Sequence, residues 1–155
     1  MAREIMTRTA ADNVYRHMDF HGALSTGIAW IEQQYGAEAV REYVRRFARQ
    51  FYASVTADIR ARGLGALRRH LHLLYTREGG SVRIESSAGE LLLEVSRNPA
   101  VDHMRAHGYE VAPLFFETSR TLFEALCENT PYAVQWLGWD QETGRCSARF
   151  FRRPA

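Results

Sequence analysis

The chain reads as an α+β domain in which helices come first and an antiparallel sheet follows. Three observations lead there. Apolar residues recur at three- and four-residue spacing from Leu24 to Leu74, the spacing drops to two after Gly79-Gly80, and two β-rich stretches each fold back over a short turn. Helices grouped apart from an antiparallel sheet define this class. The expected architecture is an N-terminal helical hairpin plus further helices packed on a four-stranded antiparallel sheet.

Leu24, Ile28, Ile31 and Tyr35 form the first helical stripe, and His17 and His21 extend it backwards. This helix begins either near Asp12 or with Asp19 as its N-cap, and Gly36 stops it. Residues 1–11 are expected to be a flexible N-terminus. A second helix is expected from Ala37 to Ala61 without interruption, because Val40, Tyr43, Val44, Phe47, Phe51, Val55 and Ile59 share one stripe. Gly63 and Gly65 end it. A third helix, Ala66 to Thr76, carries Leu67, Leu71 and Leu74.

Ser81 to Ser86 then alternates Val82 and Ile84 with Arg83 and Glu85, Ser87-Ala88-Gly89 turns the chain, and Leu91 to Ser96 returns. Pro99 opens a short helix that Gly108 closes, with His107 as a helix-end residue favoured by the dipole. A further helix is expected from Pro113 to Glu128. Tyr132 to Trp139 and Arg145 to Phe151 flank a Gly-containing turn and form the second hairpin. Strand alternation places Trp136 and Trp139 on opposite faces. The count is five helices and four strands.

At 155 residues and 46% hydrophobic, the chain matches one domain, residues 1–155. The 20 basic residues are all arginine, but 18 acidic residues are interleaved with them and no like-charge block forms, so no nucleic-acid partner is expected. Cys127 and Cys146 lack CxxC spacing, and Cys127 reads as a small core hydrophobe. No apolar leader opens the sequence and no run is long enough to span a bilayer, so a cytoplasmic protein without a membrane partner is expected.

The histidines carry most of the chemical signal. His17/His21 and His103/His107 are spaced one helical turn apart, which puts each pair on one helix face. Two such imidazoles supply half of a zinc or iron site, and His103 or Glu94 can complete it, although strand alternation gives Glu94 a solvated face. His70 and His72 point apart. Glu117, Arg120 and Glu124 fall at helical spacing, the pattern of an exposed ion-paired face.

The runs His17-Met18-Asp19-Phe20-His21-Gly22-Ala23-Leu24, Asn98-Pro99-Ala100-Val101-Asp102-His103-Met104-Arg105 and Phe116-Glu117-Thr118-Ser119-Arg120 resemble the L-2-amino-thiazoline-4-carboxylic acid hydrolase family. The order of elements also resembles the small ligand-binding domains that include the 4-vinyl-reductase-like ones. Chains of the first family carry cysteine where this one has Asn98 and Phe116, which argues against a cysteine mechanism here. The resemblance implies hydrolysis of a carboxylate-bearing heterocycle, a thiazoline or cyclic amidine, by histidine acid/base chemistry. In that reading His21 is the base, His103 the acid, His17 or Glu117 the orienting partner, and Arg120 the anchor for the carboxylate. A divalent metal held by His17, His21 and His103 is the metal-assisted version. The alternative is a non-catalytic module that binds a small organic acid. A homodimer through the aromatic hairpin, Tyr132 to Phe151, accompanies either reading.

Overall fold

The computed structural model describes residues 18–154. His17 and the expected flexible residues 1–11 lie outside the described residues. The described chain is α+β, with six helices and a four-stranded antiparallel sheet. The helices are α1 (Asp19–Tyr35), α2 (Ala37–Phe51), α3 (Ala53–Arg62), α4 (Leu64–Arg77), α5 (Pro99–Ala106) and α6 (Glu117–Cys127). The strands are β1 (Ser81–Ser87), β2 (Glu90–Arg97), β3 (Tyr132–Trp139) and β4 (Cys146–Arg152), in spatial order β1-β2-β4-β3.

Three boundaries differ from the sequence expectation. The long second helix is two helices, because Tyr52 leaves the helical region at φ −100°, ψ 17° while its ring packs edge-on against Phe47, Phe51 and His70. The apolar stripe keeps its phase across this break, so periodicity does not register it. Asp19 is the first helical residue rather than the N-cap, a position held by Met18 without a side-chain bond. The last helix starts at Glu117, since residues 113–116 form a tight turn: Phe115 N–H donates to Ala112 O, Glu117 N–H to Leu114 O and Thr118 N–H to Phe115 O.

One sheet face is the main core. Leu91, Leu93 and Val95 of β2 alternate inward beside Cys146, Ala148 and Phe150 of β4, with Leu93 paired to Ala148 and to Ile84 of β1. Against them pack Ile59, Leu67, Leu71, Phe123 and Leu126 from α3, α4 and α6. A second buried cluster, Ile28, Val40, Val101, Met104 and Phe115, joins α1 and α2 to α5. The opposite sheet face carries exposed Arg83, Glu85 and Glu94.

Trp136 and Trp139 do not lie on opposite faces. Trp136 pairs with Ala148 and Gly138 with Ser147, so Leu137 is an extra residue that shifts the alternation by one. Both indoles pack on the core, 6.5 Å apart edge-on, and Trp136 stacks on Phe123 at 5.6 Å.

Asn98 locks β2, α5 and the β3–β4 turn together. Its buried side chain accepts from the N–H groups of Ala100 (3.1 Å) and Val101 (3.4 Å) and donates to Gly144 O (3.1 Å). Gly144 can approach this closely because it has no Cβ: one would sit 2.6 Å from Val101 Cγ2. Asn98→Ala is expected to cost about 2 kcal/mol, roughly half for the cap and half for the stranded carbonyl. Urea denaturation checks this, and a loss below about 0.5 kcal/mol would show that the cap is dispensable.

Candidate functional site

His21 on α1 and His103 on α5 settle into two separate arrangements. His21, in the first turn, donates from Nε2 to Glu78 Oε2 at 3.0 Å. Glu78 caps the C-terminus of α4, and the chain then reverses through Gly79 (φ +80°), with Gly80 N–H returning to Tyr75 O. This pair sits at a cavity of about 400 Å³ enclosed by α1, α2, α6 and the facing ends of α4 and α5. Volumes of this order suit small organic ligands.

The walls are mostly apolar and aromatic. Leu24, Leu74, Phe115, Leu122 and Phe123 form the deeper part, while Phe20, Tyr43, Phe47 and Phe51 surround the more exposed part. Polar groups are fewer: among the described residues, besides His21 and Glu78 there are Asn98, Thr118, Ser119 and the hydroxyls of Tyr43, Tyr52 and Tyr75. Burial pushes the Tyr75 hydroxyl far above the usual phenol range. Burial, aided by the negative charge of Glu78, also raises Tyr52. Neither phenol is therefore ionised near neutral pH.

His103 belongs to the other arrangement. Its Nε2 donates to Asp19 Oδ1 at 2.9 Å, and Tyr109 donates to the same oxygen at 3.2 Å. The His107 ring lies 4.1 Å from that of His103, and its Nδ1 donates to His103 O. These hydrogen bonds, His103 first and Tyr109 second, hold the Asp19 carboxyl below the usual carboxylate range. Gly22 lets the Tyr109 ring close on α1, since a Cβ there would meet it at 2.8 Å.

The structure thus does not bring His21 and His103 together. His103 is absent from the residues lining the cavity. The reason is helical geometry: residues two apart project about 200° apart around the axis, so the partners at Asp19 and His21 meet different neighbours. Among the described residues no group of three or more His, Cys, Asp or Glu is placed to hold a metal ion. His17, the third expected ligand, lies outside the described residues.

Glu117 corrects a second expectation. It is not on an exposed face but fully buried, where it accepts from Arg41 Nε (2.9 Å) and Thr121 Oγ1 (2.6 Å) and ties α2 to α6. The carboxylate in contact with His21 is that of Glu78. Arg120 lies between Glu117 (3.9 Å) and Glu124 (3.6 Å) and does not line the cavity, so it is not placed to anchor a ligand there. Glu94 is exposed on the outer sheet face. Cys127 and Cys146 are buried, and burial raises both thiols to about 12, which leaves them unreactive.

A second concavity, of about 670 Å³, is a more open groove between α3 and α4 bordered by His70, Leu73, Asp58 and Arg69. Asp58 there is ion-paired with Arg62 and, at 3.6 Å, with Arg69.

Fold and site together define a small α+β domain with one aromatic-walled cavity and a histidine–carboxylate pair at it. No protein-family model matches the chain, and no curated protein matches it. No described helix is long and apolar enough to cross a membrane.

Proposed function

We propose that this protein binds a small, mainly apolar organic molecule in the cavity between α1, α2 and α6, with the His21–Glu78 pair contacting its polar end. The observation that carries this reading is the wall composition: many aromatic and aliphatic side chains and a few convergent polar groups, the usual make-up of a ligand pocket. It agrees with the resemblance to small ligand-binding domains of the 4-vinyl-reductase-like type. A cytoplasmic protein that pairs through its second hairpin fits the same reading. There β3 is an edge strand and carries exposed Leu137.

Hydrolysis is the second reading, and the 3.0 Å contact between His21 and Glu78 favours it. A carboxylate on Nε2 fixes the imidazole tautomer, leaving Nδ1 as the basic atom that takes a proton from water. Glu78 then does the orienting expected of Glu117. Among the described residues no arginine lines the cavity to anchor a carboxylate in this reading.

One sample distinguishes the two. N-phenyl-1-naphthylamine, a neutral apolar fluorophore, is expected to saturate at one site per chain. 2-Amino-thiazoline-4-carboxylate incubated with the protein is expected to be recovered unchanged by mass spectrometry. A ring-opened product that disappears in His21→Ala would replace the binding reading with the hydrolase; absence of any saturable fluorescence would remove the cavity as a binding site.

A further inference from the structure

We propose that the ligand of this cavity is an organic cation, an aromatic or alkyl ammonium, held by the Glu78 carboxylate and the faces of the surrounding aromatic rings. This rests on the reading that the cavity binds a small molecule. The charge inventory is the first argument. Among the described residues lining the cavity, Glu78 is the sole carboxylate and His21 the sole base, although the chain carries 20 arginines.

The rings supply the second argument. Phe47 and Phe51 stack at 5.2 Å, and both meet Tyr52 edge-on at 5.9 and 5.1 Å. Phe20 and Phe51 are 55% and 69% exposed, which is costly for phenylalanine unless something covers them. Ring faces are electronegative, and a cation within about 6 Å of one gains roughly 0.5–2 kcal/mol.

The third argument is that the N–H groups that could hold an anion are taken up at two of the three helix starts that line the cavity. Helix starts ordinarily offer free N–H groups to anions, and at the third, α1, the His21 N–H is bonded to Met18 O. Those of α5 at Ala100 and Val101 are bonded to Asn98. Those of α6 at Glu117, Thr118 and Ser119 are bonded to the carbonyls of Leu114, Phe115 and Phe116. Among the described residues a ligand carboxylate would find hydroxyls and an imidazole already held by Glu78, whereas an ammonium finds that carboxylate and the rings.

Three phenyl-bearing probes test this: phenyltrimethylammonium, its uncharged isostere tert-butylbenzene, and benzoate, each titrated at pH 8. The cation is expected to bind at least tenfold more tightly than the isostere, and benzoate more weakly than both. Glu78→Gln is expected to abolish most of that preference while tert-butylbenzene binds as before. Should that variant fail to fold, Phe51→Leu at the exposed position is expected to weaken the cation severalfold and the isostere less. The isostere binding as tightly as the cation, benzoate binding best, or the preference surviving in Glu78→Gln would each overturn the cation assignment and leave the cavity reading standing. No binding of any probe would overturn both.

Discussion

Replacing Arg41 with methionine is expected to lower stability by about 3 kcal/mol and the melting temperature by roughly 6–12 °C. The size of the effect comes from the partner left behind. Glu117 has no solvent exposure, while Arg41 is about one-third exposed and also reaches Glu38 at 3.1 Å. Without Arg41 the carboxylate keeps only the Thr121 hydroxyl at 2.6 Å and a distant Arg120, so it must either stay charged in an apolar setting or take up a proton. The double variant Arg41→Met/Glu117→Gln should recover at least half of the loss, since a neutral amide tolerates burial better than an unpaired charge. Thermal and urea unfolding of both variants measure this. A loss under 1 kcal/mol in Arg41→Met would mean that the pair is not what joins α2 to α6.

Filling the cavity is expected to have the largest effect on function. Thr118 lies in the first turn of α6, half-buried at the cavity wall, and its hydroxyl bonds only the local Phe115 carbonyl at 2.7 Å. Thr118→Trp places an indole in a space of about 400 Å³ and removes no long-range contact. Affinity for N-phenyl-1-naphthylamine should fall at least 100-fold, about 2.8 kcal/mol, with the melting temperature moved by only a few degrees. Unchanged affinity in a folded Thr118→Trp protein would place the binding elsewhere.

Much of the fold was legible because its signals are local. The period-two stretch after Gly80, the Asn98-Pro99 helix start and the Gly-containing turn before β4 all mark themselves within a few residues. Features set by tertiary packing were not legible. The α2–α3 break at Tyr52 leaves the stripe in phase, and the bulge at Leu137 became visible only through the pairing of β3 with β4. Glu117 looked exposed because a charged residue at helical spacing from Arg120 and Glu124 ordinarily faces water. Its burial depends on Arg41, 76 residues away.

The candidate site divides in the same way. His21 was identifiable because it continues the apolar stripe of α1, whose Leu24 lines the cavity beside it. Glu78 was missed, since it lies 57 residues from His21 and carries no motif beyond the Gly79-Gly80 turn that follows it. The separation of His21 from His103 was hidden too: proximity in a motif says nothing about the 200° between Asp19 and His21 on the helix. Tyr75 and Ser119 read as ordinary helix residues, and only the packing of α4 against α6 puts both at the cavity wall.

The most direct test of the account is where a small apolar ligand sits. tert-Butylbenzene titrated into methyl-labelled protein should give intermolecular nuclear Overhauser effects to Leu24, Leu74 and Leu122, which line the aromatic cavity. Effects confined to Leu73, in the open α3–α4 groove, or to exposed Leu137 on β3 would contradict it.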